Sequence, residues 1–181
     1  MNLPGRIETD RLIIRPFEPK DFKAFIEFMT NEDATRYLTF DTVQKTQEGA
    51  GTLFEFILSS YVTDDPVFAL AIVDRSTETY LGSVGLSPLQ DETGVEVYYS
   101  LLPKYWGWGF ATEATAAVLY YAFEELELER VVADANEHNP KSFDVARNVG
   151  MRDEGSVERA DNTLWRRFSM NKSDYFRQVG E

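Results

Sequence analysis

The chain contains no cysteine among its 181 residues. This absence excludes disulfide bonds, thiolate metal ligands and a cysteine nucleophile, and it is compatible with a reducing cytosol. Histidine occurs once, at His138, and the sequence has no Gly-x-Ser-x-Gly motif. A Ser-His-Asp hydrolase and a zinc site are therefore disfavoured, no metal is expected, and we interpret His138 as a loop residue.

Long apolar runs and an excess of positive charge are also missing. No stretch approaches the roughly 18 apolar residues that a membrane-spanning helix needs, and residues 1–6 lack the apolar segment of a signal peptide. The net charge of −13 repels nucleic acid and anionic lipid. We therefore expect a cytoplasmic protein without a nucleic-acid or membrane partner. The acidic surface either favours a cationic partner, such as an amine, or serves solubility alone.

The pattern of apolar residues predicts a single domain, residues 1–181, of the α/β (α+β) class. Hydrophobic residues make up 43% of the chain, which is enough for a core, and no repeat or linker divides it. Three central strands at hairpin spacing predict an antiparallel meander, and a later strand–helix–strand segment predicts a parallel pair. Strands are predicted at 11–16, 67–74, 79–86, 95–101, 130–135, 154–159 and 164–171, helices at 19–29, 42–61, 111–125 and 140–149, and turns at 77–78, 91–94 and 160–163.

The most specific feature is a glycine loop between a predicted strand and a predicted helix, in the sequence Trp106-Gly107-Trp108-Gly109-Phe110-Ala111-Thr112-Glu113-Ala114. Such a turn directs backbone N–H groups to one spot at the positive end of the helix. The two glycines carry no Cβ, so the backbone can approach a ligand closely. The loop predicts a phosphate or pyrophosphate site. The alternative is a tight turn that packs Trp106 and Trp108 into a core.

This string resembles the acyl-CoA motif of the GNAT superfamily of N-acetyltransferases. Trp106 stands where most of the superfamily has Gln or Arg, and this difference is typical of the ribosomal-protein alanine and serine N-acetyltransferases (the RimJ/RimL-like subgroup). Residues 8–15 resemble the opening strand of the same subgroup, and the segment Asn139-Pro140-Lys141-Ser142 resembles the segment that follows the fifth strand in the superfamily. The resemblance covers nearly the whole chain and implies a GNAT fold. That fold has a mostly antiparallel, twisted sheet of about seven strands, splayed between strands 4 and 5 (95–101 and 130–135), with helices on both faces.

The resemblance also implies an acyltransferase that moves an acetyl group from acetyl-CoA, its co-substrate, to a primary amine in a ternary complex. Many family members carry Lys or Arg at the position of Trp108. The phosphate contacts would therefore fall on backbone N–H groups, or on Lys104 or Lys141. The residues that the resemblance assigns to acetyl-CoA are Ser100, Leu101, Trp106, Gly107, Trp108, Gly109, Phe110, Ala111, Thr112 and Asn139.

Two residues are candidate catalytic groups. Glu96 matches a carboxylate that many GNAT enzymes place on the fourth strand, where it would take a proton from the amine, and burial would raise its pKa toward a useful value. By resemblance, Ser142 would protonate the leaving thiolate, directly or through water. The alternatives are an exposed carboxylate at Glu96, a base at Glu113, and a segment in which Asn139 only caps a helix that contains Ser142.

The acceptor is the partner that the sequence specifies least. By resemblance it is a protein N-terminal α-amino group; a small amine or antibiotic is an alternative, as is a CoA-binding module without catalysis. Segment 35–40 falls where GNAT enzymes form the acceptor floor, so Tyr37 or Phe40 is expected to contact the substrate. Glu158 and Asp161 are further candidates for lining an amine site. The sequence is compatible with a monomer or a homodimer.

Overall fold

The computed structural model of the chain describes residues 1–89, 94–159 and 162–180. The chain separates into two compact units, each built from two stretches of sequence. The first unit comprises Met1–Gly85 and Tyr99–Ala114, and the second comprises Leu86–Tyr98 and Thr115–Glu181. The predicted turns at 91–94 and 160–163 fall partly outside the described residues, as does Asp161.

The first unit is an antiparallel sheet with helices. Its strands follow the order β1-β2-β3-β4-β5, and the pairs from β1 to β4 are antiparallel. The strands are β1 (Ile7–Glu8), β2 (Leu12–Pro16), β3 (Ala69–Asp74), β4 (Tyr80–Pro88) and the last residues of β5 (Val95–Leu101). The helices are α1 (Phe22–Met29), α2 (Glu32–Thr35), α3 (Gln47–Ser60) and the start of α4 (Phe110–Glu124), with 3-10 turns at Pro19–Asp21 and Pro103–Tyr105.

Three buried aromatic rings form the centre of the first unit. Phe17, Phe25 and Phe54 lie with ring centroids 5.2 to 5.6 Å apart, and none is more than 4% exposed. Phe25 belongs to α1 and Phe54 to α3, so the apolar faces of these two helices meet over the segment that follows β2. Edge-to-face and tilted contacts of this kind add about 0.5–1.5 kcal/mol per pair beyond the area that they bury.

A buried ion pair fixes the connection from β2 to α1. The guanidinium of Arg15 donates to both carboxylate oxygens of Asp21, at 2.7 and 3.0 Å, and these residues are only 6% and 4% exposed. The backbone N–H of Glu18 donates to the same carboxylate at 2.8 Å. Removing one partner of such a pair typically costs about 3–5 kcal/mol, because a buried charge is left uncompensated. The pair therefore sets where the strand ends and the helix begins.

The second unit contains a parallel pair inside a mixed sheet. Its strand order is β5-β6-β8-β7. β5 runs parallel to β6, whereas β6 with β8 and β7 with β8 are antiparallel. The parallel pairing recorded within the described residues joins Val95 to Val131 and Glu96 to Val132. Its further elements are β6 (Arg130–Asn136), β7 (Arg152–Glu158), β8 (Leu164–Asn171), most of α4, α5 (Pro140–Asn148) and α6 (Lys172–Val179).

The predicted meander and the parallel pair are confirmed, and so is the buried face of α4. Its residues Val118, Leu119, Ala122 and Phe123 are at most 2% exposed. The sheet of about seven strands is confirmed, with eight strands formed by the described residues.

The extra strand is β1, whose two residues are too few to show a period. The helices α2 and α6 were also missed, the first because it has only four residues and the second because it is largely polar. Helix α3 begins at Gln47 rather than at residue 42, because the side chain of Thr46 caps it by accepting from Gly49 N. No helix within the described part of the chain has the length and apolar character to cross a membrane.

Candidate functional site

The glycine loop has a backbone shape that only glycine adopts readily. Gly107 and Gly109 both have φ of +79°, a region in which a Cβ atom is strained. Helix α4 begins at Phe110, directly after the loop, and Glu113 N donates to Gly109 O at 3.0 Å. The first N–H groups of a helix have no acceptor within that helix and carry its positive dipole end. The loop therefore has the strand-to-helix geometry that favours an anion.

The two loop tryptophans do not belong to a core. Trp106 is 38% exposed and Trp108 is 66% exposed, so the alternative interpretation of the loop as a core-packing turn is wrong. The indole N–H of Trp106 donates to the carbonyl of Leu101 at 2.8 Å. Trp106 thereby closes the 3-10 turn between the end of β5 and the loop. This bond uses one of the two lone pairs on the carbonyl of Leu101, whose backbone is expected to face acetyl-CoA.

The carboxylate of Glu113, in α4, connects the glycine loop to the N-terminal segment through hydrogen bonds. Glu113 accepts hydrogen bonds from Thr9 Oγ1 at 2.6 Å, from Arg11 N at 3.0 Å and from Arg11 Nε at 2.6 Å. The same guanidinium donates from NH1 to the carbonyl of Trp108 at 2.8 Å and lies 4.7 Å from the ring centre of Phe110. We call Thr9, Arg11 and Glu113 the loop clamp. It ties the connection between β1 and β2 directly to the glycine loop.

The loop clamp decides the role of Glu113. Burial raises the pKa of Glu113, but hydrogen bonds from Thr9 and Arg11 outweigh that effect and hold the pKa below its ordinary value. A carboxylate with a lowered pKa and occupied oxygens is a poor proton acceptor. The geometry therefore supports a structural role for Glu113 and argues against a base at this position. Sequence reasoning singled out segments 8–15 and 106–114 separately, but nothing local in either signals that they bond to each other.

A groove of about 340 Å³ lies beside the loop in the first unit. Lys104 lines it, as expected for a cation near the loop, and its ammonium is 3.4 Å from Glu27 Oε1. Lys141, the other expected cation, lies in the first turn of α5 in the second unit. The groove is lined by Asp74, Thr77, Thr79, Leu81, Lys104, Tyr105, Trp108 and Phe110.

The expected acceptor segment begins next to the end of β5. Ser100 Oγ donates to the carbonyl of Ala34, in α2, at 3.4 Å. Tyr37 and Phe40 follow α2 and are half-buried. Within the first unit, the structure thus brings the start of this segment together with Ser100.

Glu96 is a buried carboxylate in the second unit. Its side chain is 19% exposed, and its Oε1 lies 3.6 Å from Arg159 NH2. Burial raises the pKa of Glu96 to about 7, against the opposing charge of Arg159. The charge of Asp134 acts in the same direction as burial. The alternative of an exposed strand carboxylate is wrong. A carboxylate that titrates near neutral pH is suited to accepting a proton from an amine.

Three further side chains surround Glu96. Asp134 has a side chain only 1% exposed, and Arg167 donates to both of its oxygens at 2.8 and 2.7 Å. Arg159 NH2 lies 3.5 Å from Asp134 Oδ2, and the guanidinium carbon is 3.8 Å from the ring centre of Trp165. Sequence reasoning found Glu96 but missed these neighbours, which come from β6, β8 and the residue after β7.

Asn139 and Ser142 lie at the start of α5, as expected. Asn139 occupies the N-cap position, but its side chain makes no capping hydrogen bond. Asn139 thus stands at the cap position that the alternative interpretation gives it, but without the side-chain bond of a cap. Ser142 is half-buried in the first turn, and its N–H donates to the carbonyl of Asn139 at 3.0 Å.

His138 is an exposed residue in the loop before α5, as predicted. Glu158 is exposed at the end of β7. Across the parts of the chain that the structure describes, no group of three or more His, Asp or Glu side chains is placed to hold a metal ion.

The loop clamp should behave as one coupled unit. We expect Arg11→Ala and Glu113→Ala each to lower the free energy of unfolding by about 1.5–3 kcal/mol, since both remove charge-assisted hydrogen bonds. The double variant should cost clearly less than the sum. Urea unfolding of all four proteins measures this coupling. Arg6→Ala, which removes an exposed ion pair with Glu8, is the control and should cost about 1 kcal/mol or less. Additive losses from Arg11 and Glu113 would contradict the clamp.

The raised pKa of Glu96 makes stability depend on pH. The ordinary value is 4.5 and the folded value about 7, so the folded state favours the protonated form. The stability that the folded state has with a neutral Glu96 is fully present below pH 4.5 and is lost as the pH rises through about 7. Glu96→Gln stays neutral, so its stability relative to the wild type should rise by up to about 3 kcal/mol over that range. Urea unfolding at a series of pH values tests this, with the exposed Glu129→Gln as control. Parallel pH curves for Glu96→Gln and the wild type would show that the pKa is not raised.

The chain has relatives among proteins that are named for acetyl transfer. It matches the family described as the acetyltransferase (GNAT) domain over residues 11–152, which is more than half of its length. The uncharacterised N-acetyltransferase YoaA of Bacillus subtilis is 27% identical over 150 residues, covering 82% of this chain and 84% of YoaA. A second Bacillus subtilis protein, named "Putative ribosomal N-acetyltransferase YdaF", is 29% identical over 156 residues, 82% of each chain.

Solved structures share the fold. The acetyltransferase (GNAT family) from Bacillus anthracis has a TM-score of 0.77 at 24% identity, covering 93% of this chain and 99% of that one. The ribosomal-protein-S5-alanine acetyltransferase from Vibrio fischeri has a TM-score of 0.73 at 18% identity, covering 94% and 98%. The family match spans both the glycine loop and the start of α5. The chain therefore belongs to the GNAT family of N-acetyltransferases.

Proposed function

We propose that this N-acetyltransferase uses acetyl-CoA as its donor and acetylates a protein N-terminal α-amino group. The assignment of acetyl-CoA as the acetyl donor depends on one observation. Gly107 and Gly109 have positive φ and lie directly before the start of α4. A pyrophosphate needs several N–H donors that converge without a Cβ between them, and the two glycines at φ +79° directly before α4 support such a site. In this proposal, the pyrophosphate accepts hydrogen bonds from N–H groups of the loop and of the first turn of α4, including those of Phe110, Ala111 and Thr112.

The remaining donor contacts follow from the same assignment. The pantetheine arm is held by the backbone of Ser100 and Leu101 and by the amide of Asn139. Trp106 and Trp108 contact acetyl-CoA from within the loop. That the side chain of Asn139 makes no cap bond supports its use for a ligand. Acetyl-CoA supplies an acetyl thioester, whose carbonyl carbon is the electrophile.

The chain's own residues move the protons. The amine must be neutral to attack, and Glu96 takes its proton, directly or through water. As the new C–N bond forms and the C–S bond breaks, the hydroxyl of Ser142 delivers a proton to the thiolate, directly or through water. The second proton that the attacking nitrogen loses restores this hydroxyl. Tyr37 or Phe40 contacts the acceptor. No protein nucleophile is needed, since the amine itself attacks.

The pKa of Glu96 favours an α-amino group over a lysine as acceptor. An α-amino group has an ordinary pKa of about 7.7–8.0 and a lysine about 10.4. Because the pKa of Glu96 is about 7, proton transfer from the α-ammonium is nearly balanced. Transfer from lysine is unfavourable by about three pKa units. The relative named for ribosomal N-acetylation supports the same acceptor. The net charge of −13 would also suit a small polycationic amine, which is the second candidate.

A glycine substitution tests the donor site. Gly109→Val places a branched side chain at φ +79°, so we expect acetyl-CoA affinity to fall by roughly tenfold or more. Gly155 in β7 is a matched control, because its φ is +92° and no atom lies within 4 Å of a Cβ added there. Gly155→Val carries similar backbone strain and should leave affinity intact. Calorimetric titration with acetyl-CoA measures both. Unchanged affinity in Gly109→Val would overturn the loop as the donor site.

Thiol release from acetyl-CoA tests the reaction and its acceptor. The panel contains peptides with free N-termini, peptides with blocked N-termini and one lysine, and small amines. We expect release with free N-termini, with a rate that rises as the pH passes through about 7. Glu96→Gln should slow turnover by roughly 100-fold or more and abolish that rise, whereas the exposed Glu129→Gln should not.

Two other results of the acceptor panel would indicate a different function. Release with small amines alone would establish the second candidate in place of the first. Acetyl-CoA binding without release for any acceptor would indicate a binding module rather than an enzyme.

A further inference from the structure

Arg159 is held in an unusual way. Its guanidinium lies over the ring of Trp165, 3.8 Å from the ring centre, and 27% of its side chain remains exposed. Stacking on an indole fixes the plane of a guanidinium and leaves its edge available for hydrogen bonds. The aromatic ring therefore positions the arginine together with its long contact to Asp134.

Among the described residues, the acidic neighbours of Arg159 contact only its NH2 group. This group donates a long hydrogen bond to Asp134 Oδ2 at 3.5 Å and lies 3.6 Å from Glu96 Oε1. Asp134 already receives two short bonds from Arg167. The Nε and NH1 groups of Arg159 have no recorded acceptor within those residues.

The neighbouring arginines of the same sheet show what a satisfied guanidinium looks like. Arg166 donates to both oxygens of Asp153 at 2.8 and 2.9 Å. Arg167 donates to both oxygens of Asp134 at 2.8 and 2.7 Å. Each has a carboxylate in its fork, which is the geometry that guanidinium groups favour. Among the described residues, Arg159 has no carboxylate that accepts from two of its nitrogens, although its guanidinium is stacked on Trp165.

We propose that Arg159 binds a carboxylate of the acceptor, so that the preferred acceptor is a primary amine with an acidic group close to the reactive nitrogen. This inference rests on the proposed function, in which Glu96 receives the proton of the amine. Since Arg159 NH2 is 3.6 Å from Glu96, an amine at Glu96 and a carboxylate at Arg159 belong to one small molecule or to the first two residues of a peptide. The carboxylate would supply the partner that the guanidinium lacks.

The test compares two peptides on the same enzyme. One begins Ser-Glu and the other Ser-Gln, with identical residues after that, and each is measured for binding by calorimetry in the presence of CoA and for turnover with acetyl-CoA. We expect the wild type to favour the acidic peptide by about tenfold in affinity and in kcat/KM. Taking the ratio on one enzyme cancels any change that a substitution causes at Glu96, because both peptides use the same base.

Matched variants assign the preference to Arg159. Arg159→Met keeps a side chain that packs on Trp165 and should reduce the ratio to about one, with affinity for acetyl-CoA unchanged. Arg159→Lys keeps the charge and should restore part of the ratio. Arg152→Met, on the same hairpin and 73% exposed, is the control and should keep the full ratio.

The outcomes separate this inference from the proposed function. Equal binding of the two peptides by the wild type, or an equal ratio in Arg159→Met, overturns the role of Arg159 while acetylation itself stands. Absence of turnover with all peptides contradicts the proposed function, and the binding ratio still decides the role of Arg159. Free glutamate and glutamine form a second arm, in which an equal or larger ratio identifies a free amino acid as the source of the carboxylate.

Discussion

The glycine loop depends on one carboxylate that does no chemistry of its own. Two glycines give the loop its shape, but the same residues lose the most conformational entropy when they are fixed. Glu113 offsets this by collecting hydrogen bonds from Thr9 and from both the backbone and the side chain of Arg11. Arg11 then reaches the carbonyl of Trp108 inside the loop. The conformation of the loop is thus set by charge-assisted bonds to a distant part of the chain as well as by its own sequence.

Two glutamates of this protein show how surroundings divide one functional group into two roles. Glu113 is surrounded by donors, and its pKa is held below the ordinary value. Glu96 is surrounded by sheet and by a second carboxylate, and burial raises its pKa to about 7. The first is therefore suited to holding structure, and the second to exchanging protons near neutral pH. Neither role can be read from the residue type, since both positions show the same letter.

Features that depend on neighbouring residues could be predicted from the sequence, whereas features that join distant segments could not. The loop, α4 and the start of α5 are local patterns of glycine, proline and apolar spacing, and the structure places them where the patterns indicated. The bond between Arg11 and Glu113 spans 102 positions, and the stacking of Arg159 on Trp165 depends on a hairpin that faces Glu96 across β6. Such contacts follow from strand order and register, which periodicity does not specify. The short β1 and the polar α6 gave no periodic signal.

The loop clamp also has a consequence for how the chain acquires its binding competence. Thr9 and Arg11 lie near the beginning of the chain, but their partner Glu113 is made more than a hundred residues later. During synthesis, the N-terminal segment must therefore wait for α4 before the loop can be braced, and closing so long a loop is a slow step in folding. A chain that starts after Arg11 keeps both glycines and the whole of α4, yet its glycine loop lacks the bonds of the loop clamp.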